Sequence, residues 1–380
     1  MLAVKKFLKK NIMLVLALVA AIVSLFITPP SMELLSGIEW RTLGTLFMML
    51  TVLEGFKEEN IFRPLLKFAG NLGSLFTLSL FLVFSVFFTS MFVTNDVSLI
   101  VFVPITIILF RAGNVEKYIL PVITLENIAA VRGSMLMPFG SPQNLFLYSK
   151  SGVSAPSFIL HMFPLSALSA VLLVIFIFFI CRKKRGEKLE LSGAVLGNEW
   201  TKEKRRNRFV YIILFIIVIG TIVTRTKFWP AVLVFVILAV LVNDRKLLLR
   251  TDYVLLLTFL CFFVFSSSIA ANKNIAKFLS NSVTDNEYVW SILLSQVISN
   301  VPASIVLWPF SKNLWALLYG LDSAGLVSVI GSLASVINYR IYVREYPENG
   351  GKFIKVFTLI NWCFFLIVVI PGYILGKVNF

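Results

Sequence analysis

The sequence predicts an all-α polytopic membrane protein built from two inverted repeats. Three observations predict it: an apolar composition without matching charge, a series of long apolar runs, and two polar interruptions that recur at one fixed offset. Of the 380 residues, 58% are hydrophobic and only 14% charged, against about 25% charged in ordinary soluble domains. The mean hydropathy of +0.89 exceeds what a soluble fold can bury, so the solvent for most of the surface is lipid. The net charge of +16 fits cationic loops on one face of a membrane better than nucleic-acid binding.

Nine runs are long enough to span: 11–29, 40–56, 118–148, 156–181, 209–224, 228–243, 252–271, 314–341 and 353–376. The first follows Lys5, Lys6, Lys9 and Lys10 and reads as an uncleaved first span rather than a leader, because no small-residue cleavage site follows it. Two further regions, 73–111 and 287–311, are apolar but interrupted by polar residues. Their arms look too short to cross with the break in the way. They are expected to be re-entrant hairpins, whose irregular tips are tolerable only when buried in protein or lining a cavity.

With the N-terminus cytoplasmic and the C-terminus outside, cytoplasmic segments hold 26 of the 35 Lys and Arg, and the outer side holds eight. That bias sets the expected orientation. It places the first hairpin on the cytoplasmic side and the second on the outer side. The expected organisation is a first repeat over 1–181, a basic cytoplasmic linker over 182–208, a connecting span over 209–227 and a second, inverted repeat over 228–380. Segments 57–71 and 272–283, just before the hairpins, mix charge with apolar residues as interfacial helices do.

The interruptions share a spacing. Ser90, Thr94, Asn95 and Pro104 are matched by Ser295, Ser299, Asn300 and Pro309, each 205 positions later. A second correspondence follows at an offset of 191: Gly140, Ser141 and Tyr148 match Gly331, Ser332 and Tyr339. Gly140-Ser141-Pro142-Gln143-Asn144 lies in a long apolar run and should break it. Two matched features in the same order, in halves of opposite expected topology, point to an inverted repeat. A hairpin tip presents free carbonyls from one helix end and free N–H groups from another. Carbonyls, hydroxyls and an Asn amide oxygen are hard ligands for Na⁺, and the N–H end suits an anion.

At these residues the chain resembles the ion transporter superfamily. That group includes divalent anion/sodium symporters, citrate-transporter-like permeases, arsenite-permease-like proteins and a Na⁺/H⁺ antiporter branch. The symporters carry Ser-Asn-Thr at each tip, followed by proline at this spacing. Thr94-Asn95-Asp96 and Ser299-Asn300-Val301 hold those places here. The resemblance implies one cation site from Ser90, Thr94, Asn95 and Gly140, and another from Ser295, Ser299, Asn300 and Gly331. It likens Gly140 to Asn144 to the family's Gly-Asn-Pro-Pro-Asn loop, and relatives of this organisation are often homodimers. The third tip residue departs from Thr. The Asn95-Asp96 pair looks more like the arsenite and antiporter branches.

Charged groups at membrane depth are candidates for function. Glu126 and Arg132 lie in the run that the Gly140 stretch breaks, and Asp322 lies in its counterpart. Glu54 ends its span and reads as structural. Asp322 aligns with Val131, so it could face Arg132 across the pseudo-two-fold axis, either as a structural ion pair or with Arg132 on an anionic substrate. The expected substrate-binding residues are Asn95, Asp96, Gln143, Asn144, Asn300 and Arg132; Asp96 and Asp322 are the coupling candidates. The expected function is secondary transport of a small anion, a carboxylate or inorganic oxyanion, coupled to Na⁺ or H⁺ in a cell membrane, with no cofactor and no nucleic-acid partner. A cation antiporter or arsenite-type efflux permease on the same fold is the alternative. One histidine, His161, and the scattered Cys181, Cys261 and Cys363 offer neither a metal cluster nor a nucleophile motif, so no enzyme is expected.

Overall fold

The computed structural model describes residues 12–29, 37–59, 61, 68–69, 72–182, 189 and 202–378. The N-terminal lysine cluster, most of the basic linker and most of segment 57–71 lie outside the described residues. The helices run in chain order as α1 Ile12–Ile27, α2 Trp40–Glu58, α3 Leu75–Val93, α4 Asn95–Ala112, α5 Ile119–Ser134, α6 Pro142–Ser151 and α7 Ala155–Cys181. After the linker come α8 Lys202–Thr224, α9 Trp229–Asp244, α10 Lys246–Arg250, α11 Tyr253–Ala271 and α12 Lys273–Val283. The last series is α13 Glu287–Ile298, α14 Asn300–Leu307, α15 Leu314–Ala324, α16 Leu333–Glu345 and α17 Gly350–Lys377.

Among the described residues, six helices are long and apolar enough to cross a membrane: α3, α4, α7, α11, the Arg206–Thr224 part of α8, and Pro347–Lys377, which carries α17. Their outward faces carry large exposed apolar side chains, such as Phe179, Leu160, Leu359 and Ile370. Exposed apolar surface on this scale marks a membrane-facing protein.

Two element series run in parallel order. In the first, the broken pair α3–α4 leads through a 3₁₀ turn at Glu116–Tyr118 to α5, an irregular stretch, the short α6 and the long α7. In the second, α13–α14 leads through a 3₁₀ turn at Trp308–Phe310 to α15, an irregular stretch, α16 and the long α17. The long closing helices each contain an internal proline, Pro164 and Pro371. The series also exchange partners: α4 packs against α16 and α14 against α6. Outside them, α1 packs on α11, while α8 and α9 pack on α2.

The breaks occur where the sequence places them. Thr94 closes α3 and opens α4 with φ 71° and ψ 153°. Ser299 closes α13 and opens α14 with φ 67° and ψ 159°. Such a backbone costs a non-glycine residue about 1–3 kcal/mol and persists only where surrounding structure dictates it. The first hydrogen bond after each break is also the same: Ser98 N to Thr94 O at 3.2 Å and Ala303 N to Ser299 O at 3.1 Å.

The irregular stretches have a shared cause. A Cβ on Gly140 would meet the Ser134 carbonyl oxygen at 2.1 Å, and one on Gly331 would meet that of Ala324 at 2.2 Å. Only glycine lets the chain double back this closely over the end of the preceding helix. Ser141 and Ser332 then take the N-cap positions of the next helices; the Ser141 hydroxyl accepts from Asn144 N, whereas Ser332 makes no side-chain cap bond.

One expectation fails in part. The arms of the second interrupted region are short, 12 and 8 residues, but those of the first are 19 and 18 residues and long enough to cross. The break at Thr94 divides the region almost equally, and residues 75–112 supply two full helical lengths at 1.5 Å rise per residue. Segment 272–283 forms α12, capped by Asn272 on Ile275 N, with Phe278 exposed. His161 is packed: its ring stacks on Trp315 at 3.8 Å and its Nε2 lies 3.3 Å from Leu375 O.

Candidate functional site

Most of the predicted residues fall into two groups. One lies where the two series meet, at the ends of α5 and α15. Arg132 is completely buried, and its Nη2 reaches the Ser323 hydroxyl at 3.5 Å. Ser323 is Arg132 advanced by 191 positions. Tyr288 Oη donates to Val369 O at 2.9 Å and lies 3.3 Å from the same hydroxyl. Beside them, Gln143 Nε2 donates to Asp322 Oδ1 at 3.2 Å, so α6 of the first series is tied to α15 of the second. Asn300 N donates to Gly331 O at 3.2 Å, and its Nδ2 approaches Leu321 O at 3.5 Å. Asn300, Gln143, Asp322, Arg132 and Gly331 are thus brought into one buried neighbourhood.

The direct Arg132–Asp322 ion pair is not formed. No nitrogen–oxygen contact within 4.0 Å joins them; Asp322 takes Gln143 instead, and Arg132 takes Ser323 and Met135 Sδ at 3.8 Å. Both side chains are fully buried, and Arg132 Nε, Asp322 Oδ2 and Gln143 Oε1 lack a hydrogen-bond partner. Buried polar atoms are normally satisfied, so this cluster keeps donor and acceptor capacity for a solute.

The second group surrounds a cavity of about 90 Å³ between α2, α11, α4, α6 and α16. Thr94, Asp96 and Ser141 line it, together with Glu54, Lys57 and Asp252. Asp96 Oδ1 has no partner there. Asn95 is turned to its own backbone, its Oδ1 accepting from Asp96 N at 2.9 Å. Glu54, read as structural, does pair with Lys57 at 2.7 Å but also borders this cavity. Lys57 and Asp252 carry no distinguishing signal in the sequence, because charges at span ends are ordinary.

Other predicted residues serve the scaffold. The Ser90 hydroxyl donates to Phe87 O at 2.9 Å and faces Gly133 of α5. Ser295 donates to Ser291 O at 2.6 Å. Asn144 Nδ2 lies 3.3–3.4 Å from the carbonyls of Ser134, Met135 and Met137 and holds the stretch that Gly140 permits. Its counterpart Ser335 bonds Gly325 O at 3.4 Å, repeating the Asn144–Ser134 contact at the offset of 191. Sequence reasoning misses Ser323 and Tyr288. The offset that aligns Gly140 with Gly331 is the signal that could have flagged Ser323.

Among the described residues no group of His, Cys, Asp or Glu is placed to hold a metal. The available donors are carbonyls, hydroxyls and amides at helix breaks, which suit an alkali cation better than a transition metal.

Comparison with known proteins points to a membrane transporter family. A citrate transporter family profile matches residues 1–337. An uncharacterized transporter, MJ0456, from Methanocaldococcus jannaschii is 29% identical over 346 residues, covering 90% of this chain and 91% of the relative. Inner membrane protein YbiR of Escherichia coli is 29% identical over 310 residues, covering 80% and 81%. A 46 kDa membrane protein of Mycobacterium leprae is 21% identical over 346 residues, covering 80% and 79%. Apolar helices, broken pairs and these matches together define a multi-pass membrane transporter. Within that class, the chain belongs to the citrate transporter family.

Proposed function

We propose that the protein is a secondary transporter of a small anion, a carboxylate or inorganic oxyanion, coupled to Na⁺ or H⁺. In this reading the two series are inverted repeats, and α3–α4 and α13–α14 carry the tips that meet solute. The observation that carries it is the buried contact of Arg132 with its own counterpart Ser323. Two residues related by a repeat can touch only near the axis that relates them. A buried guanidinium there, with Nε unpartnered, offers an anion a binding group shared between halves. Thr94, Asn95 and Ser299, Asn300 then supply helix ends for solute and coupling ion, with Ser90, Gly140, Ser295 and Gly331 supporting them.

Uptake of labelled citrate, sulfate and arsenite into proteoliposomes, under imposed Na⁺ or pH gradients, tests this reading. Gradient-driven accumulation of one anion, lost in Arg132→Gln with normal protein yield, is expected. Loss of yield instead would make Arg132 structural.

A second reading, cation/proton antiport, is favoured by one feature. The cavity at Thr94 is bordered by three carboxylates, Glu54, Asp96 and Asp252, against one cation, Lys57. Na⁺-driven proton flux without any anion would establish it.

A further inference from the structure

A buried acid lies outside both groups. Glu126 of α5 is completely inaccessible. Thr106 of α4 donates to its Oε1, and its Oε2 has no partner. We propose that Glu126 is a proton-binding site whose loading latches α4 onto α5.

Among the described residues no positive charge is paired with this carboxyl: in the 3₁₀ turn packed on α5, Lys117 sits over the Tyr118 ring at 5.0 Å and Glu116 accepts from Tyr346 Oη at 3.4 Å. On α5 itself, Arg132 is engaged by Ser323 and Met135, six residues or about 9 Å along the helix. The α3 helix has no acidic or basic residue. On α4, Asp96 lies ten residues before Thr106 and borders the cavity, while Arg111 turns outward to Glu345 at 2.9 Å. On α7, His161 stacks on Trp315 and Cys181 donates to Ser79. The α16 side chains bonded to α5 are neutral: Ser335 takes Asn127, and Asn338 donates to Ile123 O. The charged residues of α16 and α17 are exposed.

An ionised carboxylate in such a place loses its hydration with no counter-charge to replace it. One hydroxyl hydrogen bond does not offset that loss. The closed seam therefore holds the neutral acid, O–H intact, and the proton leaves to water only when α4 and α5 part. The side of α4 away from Thr106 carries Val97 and Ile100 at the cavity, so movement of this arm about the cavity moves Thr106 away from Glu126. Proton occupancy and arm position then bias each other reciprocally. This rests on the transporter reading and names H⁺ as a coupling ion.

Infrared difference spectra of wild type and Glu126→Gln, from mildly acidic to strongly alkaline pH, test the site without any substrate. A protonated-carboxyl band at neutral pH, missing from Glu126→Gln and lost from wild type at alkaline pH while the fold is intact, is the expected result. Absence of that band, or one that persists until unfolding, overturns the proposal. Should Glu126→Gln fail to fold, Thr106→Val must shift the band to higher frequency; an unshifted band is equally fatal. In proteoliposomes with labelled citrate, Glu126→Gln should lose pH-gradient-driven uptake and keep citrate exchange. A wild type that moves no citrate in either assay would count against citrate as substrate, and the infrared spectra would still decide whether Glu126 holds a proton.

Discussion

The two broken helix pairs share a backbone conformation but not a situation. At Ser299 the arms are short, and the tip is tethered through Asn300 to Gly331 and Leu321 of its own series. At Thr94 the arms are long, Asn95 bonds only its neighbour Asp96, and the tip faces a cavity bordered by α2 and α11. The difference teaches that a repeated motif fixes a local geometry, while the packing around it decides which copy borders a cavity. In this conformation both tips are buried, the first beside the cavity and the second tethered within its own series.

The largest expected effect follows from the tips themselves. Asn95→Ala and Asn300→Ala should each remove a hydrogen bond to bound solute or ion, worth about 1.5–3 kcal/mol, or roughly tenfold or more in apparent affinity. The comparison sharpens this prediction. Asn300→Ala should also lower the melting temperature in detergent, because it removes the side-chain contact to Leu321 O, whereas Asn95→Ala should leave it unchanged. Equal melting shifts would break the distinction.

A second pair tests the shared part of the geometry. Gly140→Ala and Gly331→Ala each drive a methyl into a carbonyl oxygen. Both should destabilise by about 1–3 kcal/mol, as overpacking does, read as similar losses in thermal unfolding. A large effect at one position only would mean that the two irregular stretches are not equivalent.

The smallest effect lies at the periphery. Arg111 joins α4 to α16 through Glu345, with its guanidinium over the Tyr346 ring at 4.7 Å. The pair is exposed, so Glu345→Gln should cost about 1 kcal/mol or less. The cost should fall further at high salt, as thermal unfolding at two ionic strengths would record.

Much of this is legible in the sequence because it is local. Thr94 and Ser299 break their helices where the 205-residue spacing puts them, and Gly140 and Gly331 bend the chain where the offset of 191 aligns them. The arm lengths around Thr94 are not legible, since an apolar run does not reveal where within the bilayer its break falls. The partners of Arg132 and Glu126 are hidden as well. Ser323 and Thr106 are ordinary hydroxyl residues in helical sequence, and only packing between distant segments selects them. For the same reason Lys57 and Asp252 give no hint that they border the cavity beside Asp96.

Labelling of the two equivalent third tip positions tests the central claim most directly. In a cysteine-free background, Asp96→Cys and Val301→Cys would be exposed to a membrane-impermeant, cationic thiol reagent from each side in turn. The account predicts modification at position 96 from the face bordered by Lys57 and Asp252, and protection at position 301. Protection of both positions from both faces, or modification at 301 alone, would contradict it.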